Sequence, residues 1–62
     1  MTLQQLKTYA EDMSNRYPEL NDQIRDFYFL ACDEVEDGES EANECELAYS
    51  DIEELIKEFV AQ

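Results

Sequence analysis

Only two residues of this chain strongly interrupt helical structure, the single proline at position 18 and the single glycine at position 38. Elsewhere, apolar residues recur at spacings of three and four, which is the spacing of one face of an α-helix. Both interruptions fall between the periodic segments, where proline and glycine mark turns. The sequence therefore predicts an all-α fold with helices over residues 3–15, 19–37 and 41–60 in one small domain, 1–62.

The ends of the predicted helices carry capping residues. Thr2 and Gln5 have the spacing of a capping box at the start of the first helix. Gly38 is a C-terminal cap for the second helix, and Ser40 is an N-terminal cap for the third. The residues predicted to face inward are Leu3, Leu6, Ala10, Met13 and Tyr17, then Leu20, Ile24, Phe27, Ala31 and Val35, then Cys45, Ala48, Tyr49, Ile52, Leu55, Ile56 and Phe59.

The second segment is apolar on nearly every side over residues 27–32. It can begin at Pro18, which suits a first helical turn, or at Asn21 acting as the N-cap. A helix that is apolar all round is usually buried on more than one side. We therefore expect a central helix that contacts both neighbours, or the seam of a homodimer. The residues predicted for helix packing or dimerisation are Phe27, Tyr28, Phe29 and Leu30.

The second and third helices are predicted to form an antiparallel hairpin. Facing residues in such a pair have numbers with a nearly constant sum, as Ile24 with Leu55 and Ala31 with Ala48 do. The small alanine pair would let the two helix axes approach closely.

Charge limits what the folded chain can bind. Seventeen Asp and Glu residues face four Lys and Arg residues, giving a formal net charge of −13. Direct binding to nucleic acid requires a basic face, which is absent here, and no apolar run is long enough to span a membrane. The two cysteines and the lack of a leader-like segment predict reduced thiols and a cytoplasmic location. Among the classes of partner, a cationic one is what a large negative net charge still favours.

Catalysis is not expected. The chain has no histidine, so the usual acid–base group at neutral pH is absent and no Ser or Cys has an imidazole to activate it. Paired carboxylates can catalyse reactions, but they need a cleft between them. A three-helix domain of 62 residues offers little room for one. The sequence therefore predicts that the protein is not an enzyme and has no cofactor.

A dense acidic block surrounds the predicted connection between the second and third helices and continues along the third. Successive helical turns rise about 5.4 Å, so carboxylates on a helix can be spaced much like the phosphates of a nucleic acid strand. Two acidic helix faces would therefore attract a basic groove, in a salt-sensitive manner. The predicted partner-binding residues are Glu34, Glu36, Asp37, Glu39, Glu41, Glu44, Glu46, Asp51, Glu54 and Glu58.

Residues 33–44 also resemble an EF-hand calcium loop, with Gly38 at the position of the sharp turn. Val35 occupies a position where an oxygen ligand belongs, Ser40 replaces the apolar anchor, and the chain has no second hand. A weak calcium site in a helix-loop-helix is therefore an alternative hypothesis. Its metal ligands would be Asp33, Asp37, Glu41 and Glu44.

In size, acidity and helical content, the chain resembles the small acidic early proteins of temperate, lambda-like bacteriophages. It is similar in the same respects to phage-encoded inhibitors that imitate DNA. The resemblance implies a regulator in the host cytoplasm that occupies a DNA-binding, nuclease, polymerase or replication protein. Our first hypothesis is thus an acidic protein-interaction module, and a structural module that dimerises through the aromatic second helix is a further alternative.

Overall fold

The computed structural model describes all residues from Met1 to Gln62. Helix α1 spans Leu3–Arg16, a 3₁₀ turn follows at Pro18–Leu20, helix α2 spans Asn21–Glu36, and helix α3 spans Glu41–Ala61. No residue lies in a β-strand. The predicted all-α fold of three helices is therefore confirmed, with small shifts at the helix ends.

The chain enters α2 through the 3₁₀ turn. Pro18 is the first residue of that turn, where its missing N–H leaves no hydrogen bond unmade. Asn21 has helical dihedral angles, φ −51° and ψ −49°, and it is the first residue of α2. It is therefore not the N-cap, because an N-cap residue has an extended backbone conformation. Leu20 occupies the cap position without a side-chain hydrogen bond.

The predicted N-terminal caps of α1 and α3 are present. The Gln5 N–H donates to Thr2 Oγ1 at 3.2 Å, and the Thr2 N–H donates to Gln5 Oε1 at 2.9 Å. The Asn43 N–H donates to Ser40 Oγ at 3.4 Å. These bonds satisfy amide groups that have no partner inside their own helix.

Gly38 ends α2, as its sequence position predicts. Its φ of +104° lies in the left-handed region that favours glycine. The Gly38 N–H donates to the Val35 carbonyl at 3.1 Å, and the Glu39 N–H donates to the Glu34 carbonyl at 3.0 Å. This pair of bonds is a Schellman motif, which reverses the chain direction within a few residues.

The core is a single cluster to which all three helices contribute. Every buried residue belongs to one of the predicted apolar stripes, and α2 packs against both α1 and α3. No polar or charged residue is buried. The buried residues are Leu6, Ala10, Leu20, Ile24, Ala31, Cys45, Ala48 and Ile52.

Aromatic contacts join α1 to α3. The rings of Tyr9 and Tyr49 have centroids 4.3 Å apart, and Tyr17 packs edge-on against Phe59 at 6.1 Å. Because the contacts follow the same order along both helices, α1 and α3 run in the same direction. None of the helices combines the length and apolar character needed to cross a bilayer.

Candidate protein-interaction surface

We refer to the ten carboxylates predicted to bind a partner as the acidic surface. Glu34 and Glu44 are half-buried and the other eight are exposed. Together they follow the end of α2, the connection and the length of α3. They are Glu34 and Glu36 in the last turn of α2, Asp37 and Glu39 in the connection, Glu41 and Glu44 in the first turn of α3, and Glu46, Asp51, Glu54 and Glu58 farther along α3.

No cationic side chain neutralises the acidic surface. The structure contains two ion pairs, Arg16 with Asp12 at 3.6 Å and Lys57 with Glu53 at 3.8 Å. Both are exposed pairs of residues four apart on a helix, and neither includes a member of the acidic surface. From Asp26 to Ile56 the chain has no Lys or Arg. The negative charge of this region is therefore uncompensated within the chain.

Two of these carboxylates lie where they oppose folding. Glu36 is the last residue of α2 and Asp37 is its C-cap, and the last turn contains no basic residue. The C-terminal end of a helix carries a partial negative charge, so an acidic side chain there is unfavourable by about 0.3–1 kcal/mol. Neither side chain makes a hydrogen bond or an ion pair that would offset this cost.

Two other carboxylates lie near the N-terminus of α3, where the helix dipole stabilises negative charge. Glu41 and Glu44 are in the first turn of α3, close to the partial positive charge of its N-terminus. Glu41 Oε2 also accepts a hydrogen bond of 2.8 Å from the Leu3 N–H, which is an otherwise unpaired amide at the start of α1. Glu41 thus has a structural role, and it is the weakest candidate for partner binding among the ten.

Four carboxylates share one stripe of α3 with a leucine. Alternating spacings of three and four place Glu44, Leu47, Asp51, Glu54 and Glu58 in a row along the helix. Leu47 is 59% exposed, although it is large and apolar. Leu47 is not among the residues predicted from the sequence to bind a partner. Its position off the inward stripe and between acidic residues could have indicated an exposed apolar side chain.

The stripe borders a groove of about 220 Å³ between α2 and α3, which we call the α2/α3 groove. Leu30, on the α2 side, is 58% exposed. No residue of α1 and no Lys or Arg contributes to the lining. The presence of Ala31 and Ala48 in one groove agrees with the pairing proposed for the hairpin, whose full register stays a prediction. The lining residues are Phe27, Leu30, Ala31 and Glu34 from α2 and Glu44, Leu47, Ala48 and Asp51 from α3.

A second groove, of about 400 Å³, lies between α1 and α2 and has a different character. Lys7 and Arg25 line it, and neither forms an ion pair. Ser14, also in the lining, has a buried Oγ without a hydrogen-bond partner. The two unpaired Lys and Arg side chains of the molecule therefore lie together in this groove, away from the acidic surface.

The four residues predicted for packing or dimerisation do not form one surface. Phe27 packs against the core, and Tyr28 is half-buried, with a hydrogen bond to Cys32 and burial raising its pKa to about 12. Phe29 and Leu30 are 56% and 58% exposed. However, Phe29 lines the groove shared with α1, whereas Leu30 lines the α2/α3 groove.

Most of residues 33–44, the loop of the calcium hypothesis, are helical. Asp33 lies within α2, and Glu41 and Glu44 lie within α3, so only residues 37–40 connect the two helices. An EF-hand wraps its loop around the cation, whereas here α2 continues past Asp33 to Glu36, and the calcium hypothesis stays a prediction. No group of three or more His, Cys, Asp or Glu side chains lies close enough together to hold a metal ion.

Both cysteines are free thiols. Cys32 is half-buried and Cys45 is buried. Burial is the main cause that raises the pKa of the Cys45 thiol. A thiol with a raised pKa is a poor nucleophile at neutral pH, so Cys45 acts as a small apolar residue of the core.

Comparison of the chain with protein-family models, with curated proteins and with solved structures found no match.

Proposed function

We propose that this chain is a small acidic interaction module that binds a basic surface of another protein. The proposal is supported above all by the absence of any cationic partner within 4.0 Å of the acidic surface. Solubility alone does not require so much charge, because a net charge of about 2–8 in magnitude is enough for a small domain. The formal net charge here is −13.

The cost of this charge to the fold strengthens the proposal. Glu36 and Asp37 oppose the dipole of α2, and neutral residues in their place would be more favourable for folding. Features that lower stability without a compensating contact are commonly found at functional sites. A cationic partner would supply the missing favourable interaction.

The acidic surface would act first at a distance and then in direct contact. Complementary charge raises association rates up to about 10⁸–10⁹ M⁻¹s⁻¹ at low salt. In the complex, exposed carboxylates can accept paired hydrogen bonds from Arg guanidinium groups or single bonds from Lys. Because salt screens both effects, we expect the affinity to fall steeply with ionic strength.

A DNA-associated protein is the partner class that we favour. From Asp51 to Glu58 on the α3 stripe, carboxylates recur about once per helical turn, roughly 5.4 Å, which approaches the spacing of phosphates along a strand. A groove that binds duplex DNA neutralises the phosphates with Lys and Arg side chains. A regulator from a temperate bacteriophage would in this way occupy a host DNA-binding, nuclease, polymerase or replication protein. Duplex DNA should then compete with the chain.

Two matched variants test the proposal. Each removes four negative charges from exposed side chains, but only one removes them from the acidic surface. The immobilised variants and the wild type would be exposed to a bacterial lysate and eluted with a salt gradient. The test variant carries E36Q, D37N, E39Q and E46Q, and the control variant carries E11Q, E19Q, D22N and D26N.

We expect the wild type and the control variant to retain the same basic proteins and the test variant to lose them. Added duplex DNA should release those proteins from the wild type. Equal retention by both variants would show that overall charge is sufficient and would contradict the proposal. Circular dichroism would confirm that both variants are folded.

Self-association is the second candidate function, because Phe29 and Leu30 are large apolar residues that are more than half exposed. Burying one such side chain is worth about 1.5–3 kcal/mol. Sedimentation at low and high salt tests this candidate. A dimer that persists in the test variant would favour an assembly role over the acidic module.

A further inference from the structure

We infer that the α2/α3 groove receives an amphipathic, basic α-helix of the partner protein. The inference rests on the proposed function and adds the chemistry of the segment that is bound. It predicts a helix with apolar side chains on one face and Lys or Arg side chains along the edges of that face. Helices of this type are bound in grooves of other proteins by the same combination of contacts.

The apolar part of the groove has two walls and a low floor. Leu30 on α2 and Leu47 on α3 are 58% and 59% exposed, and they stand on opposite sides. Between them lie Ala31 and Ala48, whose small side chains leave the groove open. Large exposed apolar side chains on both walls of one groove are typical of a surface that another chain covers.

The charged part of the groove is entirely acidic. Glu34, Glu44 and Asp51 line it together with the leucines, and none of the three forms an ion pair. The α3 stripe continues the acidic edge to Glu54 and Glu58. A bound helix with Lys or Arg beside its apolar face would therefore place cations against carboxylates while its apolar residues contact the leucines.

The length of the groove sets the size of the contact. Its lining on α2 extends from Phe27 to Glu34, about 10 Å at 1.5 Å per residue. Two turns of a bound helix cover that distance. The partner segment should therefore present apolar residues at positions one turn apart, spaced three or four in its sequence.

A second copy of this chain is a poor occupant. Arg16 and Lys57 are already in ion pairs, and Lys7 and Arg25 line the other groove. A second copy would therefore bring few free cations to the acidic edge and would add its own net charge of −13. Charge complementarity thus favours a basic segment of a different protein.

A pair of synthetic peptides tests the inference with the full chain. One peptide contains only leucine and lysine, is about five helical turns long, and has all its leucines on one face. The other has the same composition with the leucines distributed around the helix. Affinities would be measured by fluorescence anisotropy, and the binding site would be mapped by amide chemical shifts.

We expect the amphipathic peptide to bind at least about tenfold more tightly than the scrambled one. The shift changes should centre on Leu30, Ala31, Leu47 and Ala48. The double variant L30A/L47A should lose about tenfold in affinity, and the control F29A/V60A should keep it, because Phe29 and Val60 are equally exposed but lie outside the groove.

The outcomes separate this inference from the proposed function. Equal binding of both peptides, weakened by neutralising the acidic surface, would overturn the groove inference and leave the acidic module standing. Tight binding of both peptides that is unaffected by neutralising the acidic surface would overturn the groove inference and the proposed function together. Equal losses in L30A/L47A and F29A/V60A, or a dimer formed through Leu30 and Leu47 in sedimentation, would overturn the groove inference alone.

Discussion

Two glutamates on either side of the connection between α2 and α3 are expected to respond oppositely to neutralisation. Glu36 is the last residue of α2 and Glu41 is the first residue of α3. Glu36 thus lies at a negative helix end, and Glu41 lies at a positive one. We expect Glu36→Gln to stabilise the protein and Glu41→Gln to destabilise it, although each change removes one negative charge.

The expected difference follows from the local contacts. The helix-end interaction is worth about 0.3–1 kcal/mol, unfavourable for Glu36 and favourable for Glu41. Glu41→Gln also replaces a charge-assisted bond from the Leu3 N–H, 2.8 Å long in the wild type, by a weaker neutral one. Since the bond is exposed to solvent, we assign it less than about 1 kcal/mol. The two variants should therefore differ by about 1–2 kcal/mol.

Thermal denaturation followed by circular dichroism measures the difference. For a domain of this size, 1 kcal/mol corresponds to a shift of about 4–8 °C in Tm. The Tm of Glu36→Gln should exceed that of Glu41→Gln at low ionic strength, and the gap should narrow as salt is added. Equal increases of Tm in both variants would contradict the opposite effects of the two helix ends, because overall net charge alone would then govern stability.

Three further outcomes follow from the fold. Gly38→Ala should lower stability by about 1–2 kcal/mol in chemical denaturation, because its φ of +104° is unfavourable for alanine. Ile52→Ala should cost about 2–5 kcal/mol and leave the chain largely unfolded by circular dichroism, since Ile52 is fully buried, whereas the exposed Val60→Ala should change little. The pKa of Tyr28 is raised to about 12 by its hydrogen bond to Cys32 and by burial, so its contribution to stability is complete below pH 10 and is lost as the pH rises toward 12. Denaturation midpoints of the wild type should fall in that interval more than those of Tyr28→Phe.

The helices could be predicted because the local signals agree with the packing. Thr2, Gly38 and Ser40 each occupy a helix-capping position that their residue types favour. Spacing alone also placed every buried residue on an inward stripe, but Val35 does not join the core cluster, and Tyr9 and Tyr28, which lie off the stripes, pack against it. The entry into α2 also differs from the prediction, since Asn21 is a helical residue because the 3₁₀ turn after the proline precedes it.

The candidate site could be predicted only in part. Exposed acidic positions follow from the helical pattern, but the grooves depend on which helices are neighbours. Nothing local places Lys7 beside Arg25, or Leu30 across from Leu47. The calcium-loop spacing in residues 33–44 falls partly on helices, because α2 continues to Glu36 and α3 begins at Glu41, so only residues 37–40 connect the two.

The most direct test of the central claim is the salt dependence of binding to a retained basic partner. The logarithm of the affinity would be measured against the logarithm of salt concentration for the wild type and for the two matched variants that each lack four carboxylates. We expect a steep decline for the wild type and the control variant, and a clearly shallower one for the variant neutralised in the acidic surface. Parallel lines for all three proteins would contradict it.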